Sequence, residues 1–267
     1  MAPTDVEVAI AAAVAGAEAV ARYYGSAHVK VAKSTSDFAT QADLDSENAI
    51  MSILAEHRPN DARTGEETGT SGTTSSPRRW LIDPLCGTAN FAATTPLVVV
   101  NVTLTDESGS IAAVAADPIA GEIFWTDGFT AFVRHGDEDS PLKPSAVSGL
   151  IEINCDGPTD RQFVGGQLVN DSRLRARYGP RVISSTLGVA WVAAGRRAAY
   201  VSDGSFRADL HFAAGIAICQ AAGCTITDLA GDPLHVGRGL VISADLTTHE
   251  DVLSIVQPHL VAVLAGG

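Results

Sequence analysis

The sequence has no long uncharged hydrophobic run and no extended basic segment. Its 267 residues carry a formal net charge of −13, and consecutive basic residues form only pairs such as Arg78-Arg79 and Arg196-Arg197. An acidic chain without a basic patch is a poor partner for nucleic acid or an anionic membrane surface. An uncharged apolar run long enough to span a bilayer is also missing. We therefore expect a protein that binds neither nucleic acid nor membranes.

Cysteine and aromatic residues are scarce. The four cysteines lack the short, regular spacings of a disulfide-rich secreted domain, and aromatic residues make up 6% of the chain. The first residues are rich in alanine but contain Asp5, Glu7 and Glu18 without a basic start, unlike a secretory signal peptide. The sequence therefore predicts a cytoplasmic protein.

Apolar residues are plentiful, at 46% against 18% charged residues, so the chain can bury a sizeable core. Helical spacing of apolar residues predicts a helix over residues 5–24, and Thr40 opens a second one. Runs at 80–82, 97–105, 111–116, 122–125 and 129–134 predict strands, the later ones as an antiparallel meander. The Thr-, Ser- and Gly-rich residues 68–79 predict a flexible surface loop.

Residues 136–148 are charged, irregular and contain proline, which predicts a boundary between two parts of the chain. Beyond it, strands at 151–154, 182–184, 198–201, 224–227 and 240–243 alternate with helices at 186–195, 212–222 and 248–262. Such alternation indicates an α/β layer. We therefore expect an N-terminal α+β half over residues 1–140 and a C-terminal α/β half over 141–267.

Three acidic stretches lie at the ends of predicted elements: residues 37–43, 65–67 and 83–91. Asp83-Pro84 ends a strand, and Gly87-Thr88 follows closely, so a carboxylate precedes the N–H groups of a starting helix, which favour anions. Carboxylates from the other two stretches can supply oxygen ligands to Mg²⁺. Each stretch alone also fits a cap, a turn or a solvated loop. Their combination predicts a site for metal-assisted phosphate-ester hydrolysis.

These motifs together resemble the inositol monophosphatase superfamily. They read Asp-x-x-Thr-x-x-Asp, then Gly-Glu-Glu, then Trp-x-Ile-Asp-Pro-x-x-Gly-Thr-x-Asn-Phe, and the likeness extends from about residue 5 to about residue 245. The resemblance implies an α+β fold with layered α/β/α/β/α architecture, a site between the two halves, and a homodimer. It also implies a metal-dependent phosphomonoesterase of the cytoplasm.

The family's metal ligands match three positions. The resemblance gives Glu66 the role of the glutamate that binds the first metal, and Asp83 that of the aspartate shared by two metals. The backbone carbonyl of Leu85 matches a main-chain ligand. Mg²⁺ is the metal that this pattern implies.

The resemblance also assigns the residues that orient the attacking water and those that bind the phosphate. Thr88 and Asp43 match the pair that orients the attacking water, and the N–H groups of Gly87 and Thr88 match the phosphate cradle. Ser185 and Asp203 are candidates for substrate contacts, although either also fits a turn.

The second metal position departs from the family pattern. Cys86 stands where the family has an aspartate. The other ligand of that metal is an aspartate at a helix start: counting back from Ala213-Ala214-Gly215 assigns it to His211, and counting forward from Ala199-Tyr200 assigns it to Asp209. The sequence leaves both assignments open.

Two consequences of this departure remain open. A set of Asp83, Cys86 and His211 favours Zn²⁺ or Fe²⁺ over Mg²⁺. Alternatively, the second site is lost and Cys86 is a packed thiol. The predicted function is hydrolysis of a small phosphomonoester (an inositol phosphate, a sugar phosphate or a nucleotide-derived one) with Mg²⁺, or with Zn²⁺ or Mn²⁺ at the altered site. The alternative is a weakened or inactive relative that binds a phosphate ligand.

Overall fold

The computed structural model describes residues 2–26, 31–32, 38–204, 206, 209–234 and 238–265. Its helices are α1 (Asp5–Tyr23), α2 (Gln41–His57), α3 (Thr88–Ala92), α4 (Val164–Leu168), α5 (Ser172–Arg177), α6 (Leu187–Ala193), α7 (Ala213–Ala222) and α8 (Leu246–Ala265). Its strands are β1 (Val31–Ala32), β2 (Phe38–Ala39), β3 (Ala62–Gly65), β4 (Gly69–Gly72), β5 (Arg79–Cys86), β6 (Val99–Asp106), β7 (Gly109–Asp117), β8 (Glu122–Thr126), β9 (Ala131–His135), β10 (Glu138–Pro141), β11 (Leu150–Ile153), β12 (Gly179–Val182), β13 (Ala199–Ser202), β14 (Thr225–Thr227) and β15 (Leu240–Ser243). These elements confirm the predicted α+β class.

The chain divides into two compact units. Unit 1 comprises Met1–Pro141, Ser185–Leu187 and Leu210–Ala221, and unit 2 comprises Leu142–Ser184, Gly188–Asp209 and Ala222–Gly267. Two segments from late in the sequence therefore return to unit 1. Among the predicted site residues, they place Ser185 and His211 in unit 1, whereas Asp203 and Asp209 belong to unit 2.

Unit 1 is built on a sheet with the strand order β10-β9-β8-β7-β6-β5-β3-β4. Strands β5 to β10 pair antiparallel with their neighbours, which confirms the predicted meander, whereas β3 runs parallel to β5. Alternate residues of β6, such as Val100, Val102 and Leu104, are buried in one cluster with the apolar faces of α1 and α2. On the opposite face, Ala113 of β7 packs with Ala214 and Ala217 of α7.

The two long helices of unit 1 begin at capping boxes. The Thr4 hydroxyl accepts from the N–H of Glu7, whose carboxylate accepts from the N–H of Thr4, at the start of α1. Thr40 and Asp43 make the corresponding exchange at the start of α2. This reciprocal bonding satisfies N–H groups that a helix start would leave unpaired. Asp43 is fully buried.

Unit 2 has a sheet in the order β12-β11-β13-β15-β14. Strands β12, β11 and β13 are mutually parallel, and β15 runs antiparallel to both of its neighbours. Ile151, Val201 and Val241 from this sheet form a core with Leu168 of α4 and Val252 of α8. Within the part of the chain that the structure describes, no helix is long and apolar enough to cross a membrane.

The structure corrects several boundaries expected from the sequence. Residues 68–79, predicted as a flexible loop, include β4, which pairs antiparallel with β3. Residues 136–148, predicted as irregular, include β10, which pairs with β9. The strand expected at 182–184 lies at Gly179–Val182 instead, and α4 and α5 were not expected. In each case backbone pairing or capping, which composition does not reveal, fixes the element.

A buried histidine in unit 2 should make stability depend on pH. The imidazole of His249 lies between the hydroxyls of Thr227, at 2.9 Å, and Ser243, at 3.2 Å, and burial lowers its pKa. The unfolded chain therefore binds the proton more readily than the folded one. The contribution of His249 to the free energy of unfolding is fully present above about pH 6.5 and is lost as the pH falls below that value. We expect His249→Gln to remove up to about 1.4 kcal/mol per pH unit of this loss, measured by denaturation at pH 5–7. An unchanged pH slope would contradict this expectation.

Candidate metal and phosphate site

Two parallel strands bring the first pair of acidic residues together. Gly65 at the end of β3 is in register with Ile82 of β5, and the N–H of Glu66 donates to the carbonyl of Ile82 at 3.2 Å. Glu66 and Asp83 therefore follow the paired residues at the same end of two adjacent strands. Asp83 is fully buried.

Beyond Asp83 the ladder between β5 and β6 is interrupted. Asp83 pairs with Asn101 and Cys86 with Val99, so β5 contains one extra residue there, as in a β-bulge. Pro84 has no N–H to donate to a ladder, and its carbonyl accepts from the buried Ser46 hydroxyl at 2.9 Å. The N–H of Leu85 donates to Asp83 Oδ1 at 3.2 Å. The bulge thus fixes the direction of the Asp83 carboxylate.

A buried glutamate on α2 holds the segment that carries Glu66. Glu47 accepts from the N–H of Glu67 and from the N–H and hydroxyl of Thr68, at 2.5–2.8 Å. A Cβ added to Gly65 would lie 2.5 Å from the Glu47 carboxylate, so any larger residue there would displace that carboxylate. Glu47 was not identified from the sequence, although it follows Asp43 by four residues and precedes Ile50 on the same helix face.

Glu47→Gln should weaken both the fold and the site. The N–H₂ group of the glutamine would face one of the three groups that now donate to Glu47. That donor would then be buried without an acceptor, which lowers the free energy of unfolding by about 1–3 kcal/mol. We expect denaturation to show this loss and Mn²⁺ binding to weaken with it. Glu56→Gln, on the exposed face of the same helix, should change neither. Equal behaviour of the two variants would mean that Glu47 does not hold the Glu66 segment.

A histidine completes a group that can hold a metal ion. His211 Nδ1 lies 2.9 Å from Asp83 Oδ2. Glu66, Asp83 and His211 each offer one ligand atom, and these three atoms all lie within 4.8 Å of one another. Neither Asp209 nor Cys86 is a member of this group. Of the two assignments left open by counting along the sequence, the structure joins His211 to Asp83.

Cys86 lies near Asp83 and Glu66, but its thiol makes a hydrogen bond to a different segment of the chain. Its Sγ accepts from the N–H of Thr186 at 3.3 Å. Burial, followed by the nearby Asp83 carboxylate, raises the pKa of the Cys86 thiol well above its usual range. A neutral thiol is a weak metal ligand, because the thiolate is the form that binds metals.

The predicted water-orienting pair lies in direct contact. The Thr88 hydroxyl is 3.1 Å from Asp43 Oδ1 and 3.1 Å from the carbonyl of Leu85. The other Asp43 oxygen accepts from the N–H and the hydroxyl of Thr40. Gly87 precedes α3 with a left-handed φ of 95°, which glycine adopts readily. The first N–H groups of a helix have no partners within it, so those at Gly87 and Thr88 suit an anion.

The two candidate substrate residues have local roles in the structure. Ser185 is buried, and its hydroxyl accepts from the N–H of Leu187 at 3.2 Å. The carboxylate of Asp203 accepts from the N–H groups of Val164 and Gly165 at the start of α4. Asp37, at the start of the first acidic motif, lies outside the described residues.

Fold and site together are those of a metal-dependent phosphatase scaffold, and comparison with known proteins agrees. The sequence model of the inositol monophosphatase family matches residues 3–260. An inositol-1-monophosphatase of Caulobacter vibrioides is 30% identical over 260 residues, covering 91% of this chain and 97% of its own. The inositol-1-monophosphatase ImpA of Mycolicibacterium smegmatis is 32% identical over 234 residues, covering 85% and 83%.

A solved structure shows the same fold. The extragenic suppressor protein suhB from Bartonella henselae superimposes with a TM-score of 0.79 at 25% identity, covering 95% of this chain and 96% of that chain. This protein therefore belongs to the inositol monophosphatase family, as the motifs predicted.

Proposed function

We propose that this protein hydrolyses a small phosphomonoester with the help of a divalent metal ion held by Glu66, Asp83 and His211. The observation that carries the proposal is the convergence of these three ligand atoms within 4.8 Å. The donor set fits a cation, because Asp83 is fully buried and a second carboxylate lies close by. Buried like charges are unfavourable without a compensating positive charge.

The donors limit the choice of ion. Two carboxylates accept Mg²⁺ or Mn²⁺, whereas an imidazole ligand shifts preference towards Mn²⁺ and Zn²⁺. A bound divalent ion supplies Lewis acidity, which lowers the pKa of a water molecule and offsets the charge of the phosphate ester. Mg²⁺ remains the ion that the family resemblance implies. Mn²⁺ or Zn²⁺ are the alternatives, because His211, which the resemblance assigns to the altered second position, is one of the three ligands.

The remaining residues orient the reactants. The Asp43 carboxylate is anchored on one oxygen by Thr40, so its other oxygen and the Thr88 hydroxyl can hold a water molecule in one direction. The N–H groups of Gly87 and Thr88 can donate to phosphate oxygens at the start of α3. Fixing water and phosphate in this way lowers the entropic barrier to in-line attack.

The substrate is proposed from the relatives. Two of them are named inositol-1-monophosphatases, so inositol monophosphate heads the panel of substrates, followed by sugar phosphates and nucleotide-derived phosphomonoesters. Ser185 and Asp203 stay predictions for contacts with the leaving group. We also propose a homodimer, for which light scattering after size exclusion should give twice the chain mass of 27.6 kDa.

Release of phosphate from this panel, with Mg²⁺, Mn²⁺ and Zn²⁺ supplied in turn, tests the proposal. We expect turnover of at least one ester that requires a metal and is lost in Asp83→Asn. The replacement of a family aspartate by Cys86 favours a second candidate, a phosphate-binding protein without turnover. Metal-dependent binding of phosphate by calorimetry, with no hydrolysis of any ester, would select that candidate instead.

A further inference from the structure

An asparagine interrupts the apolar sequence of a central strand. Asn101 lies in β6 between Val100 and Val102, and its side chain is buried. Its register partner on β5 is Asp83. Because side chains alternate along a strand, Asn101 and Thr103 lie on the face opposite Val100 and Val102.

The amide of Asn101 holds the two segments that return to unit 1 late in the sequence. Its Nδ2 donates to the Thr186 hydroxyl at 2.9 Å and to the backbone carbonyl of His211 at 3.2 Å. Thr186 in turn donates its N–H to Cys86 Sγ. One planar amide group thus connects the strand beside Asp83 with the backbone of His211.

A buried asparagine is retained here although an apolar residue would fit the strand pattern. Among the described residues, Asn101 Oδ1 has no hydrogen-bond partner, so the amide contributes through its N–H₂ group alone. Thr103, two residues further along the same face, is equally buried and its hydroxyl also has no partner in the described chain. Thr103 therefore matches Asn101 in burial and polarity, but among the described residues its hydroxyl makes no hydrogen bond to the His211 segment.

We infer that Asn101 is a positioning residue for the metal site: it fixes the backbone at His211 so that the imidazole stays beside Asp83. The inference rests on the proposed function, because it treats His211 as a metal ligand. Groups that hold a ligand by hydrogen bonds commonly change metal affinity by 10- to 100-fold when they are removed. The segment 210–221 is far in sequence from β6, so tertiary contacts set its position. Ala214 and Ala217 pack its helix against Ala113, and the Asn101 amide fixes the backbone at His211 itself.

Calorimetric titration of the full chain with Mn²⁺ tests this inference. Asn101→Val should weaken Mn²⁺ binding about 10- to 100-fold, whereas Thr103→Val should leave it within about twofold of the wild type. Asn101→Ser, which fits within the same space and cannot reach both acceptors, should repeat the loss if the valine variant does not fold. Equal Mn²⁺ affinities of the Asn101 and Thr103 variants would overturn the inference.

A double variant separates positioning from a general loss of stability. If Asn101 acts through His211, adding Asn101→Val to His211→Ala should weaken Mn²⁺ binding no further. An additional loss as large as in the wild-type background would overturn the inference.

The wild type and Asp83→Asn show which proposal fails. Absence of binding of Mn²⁺, Mg²⁺ and Zn²⁺ to the wild type, or Mn²⁺ binding that is unaffected by Asp83→Asn, would contradict the proposed function and the inference together. Binding that depends on Asp83 but not on Asn101 would contradict the inference alone.

Discussion

Thr88→Ala should lose about 10²- to 10⁴-fold of phosphomonoester turnover while the protein stays folded. The Thr88 hydroxyl carries a single hydrogen and lies 3.1 Å from both Asp43 Oδ1 and the Leu85 carbonyl. It can therefore donate to one of them and still accept from a water molecule. Alanine removes this orientation, whereas the Asp43 cap on Thr40 stays in place.

The size of the effect on stability distinguishes this account from a structural one. Loss of one hydroxyl hydrogen bond changes the free energy of unfolding by about 0.5–1.5 kcal/mol. This change is smaller than the increase in activation free energy that corresponds to the expected loss of turnover. Phosphate release and thermal unfolding should be measured for Thr88→Ala and for Thr88→Ser, which keeps the hydroxyl. Full turnover in the alanine variant would remove Thr88 and Asp43 from the mechanism.

Cys86→Asp should increase Mg²⁺-dependent turnover and tighten Mg²⁺ binding on the order of 10- to 100-fold, equal to about 1.4–2.8 kcal/mol. The thiol of Cys86 is kept neutral by burial and by the neighbouring Asp83 carboxylate. An aspartate offers a hard oxygen ligand in its place, which Mg²⁺ prefers. Without metal, the added carboxylate should destabilise the fold, because it introduces a third negative charge near Asp83 and Glu66.

The opposite outcome would indicate a working soft site. If Cys86 binds metal together with Asp83 and His211, Cys86→Asp should weaken Zn²⁺ binding and lower turnover in Zn²⁺. Metal content and turnover of the wild type and Cys86→Asp, each in Mg²⁺ and in Zn²⁺, separate the two cases. Cys86→Ser is the matched control, because it keeps the size of the side chain without adding charge. No change in Cys86→Asp would mean that this position does not contribute to metal binding.

The sequence motifs predicted those parts of the site whose residues are close together in the sequence. The strand that leads into Asp83 and the helix that starts at Thr88 were predictable, because apolar runs, proline and glycine mark such boundaries. The expected strand end at Asp83-Pro84 was wrong, because β5 continues through the bulge to Cys86. The contact between Thr88 and Asp43 was expected only from the family resemblance. The order of helical and strand patterns indicated an α+β half followed by an α/β half, and the family resemblance implied the α+β class of the whole chain.

Contacts between distant segments were not predictable in the same way. Counting along the sequence left Asp209 and His211 open, because the counts from Ala199-Tyr200 and from Ala213-Ala214-Gly215 point to two different positions. The structure groups His211 with Glu66 and Asp83. Asn101 left a signal, a polar residue inside an apolar strand, but its partners Thr186 and His211 are 85 and 110 residues away.

The proposed metal site can be tested most directly by anomalous diffraction from crystals soaked in Mn²⁺ and phosphate. We expect a manganese peak within coordination distance of carboxylate oxygens of Glu66 and Asp83 and a ring nitrogen of His211, with phosphate density at the start of α3. The same peak should be absent in crystals of Asp83→Asn. A manganese peak coordinated by other residues, or none in crystals whose Glu66, Asp83 and His211 are well ordered, would contradict the assignment of this group as the metal site.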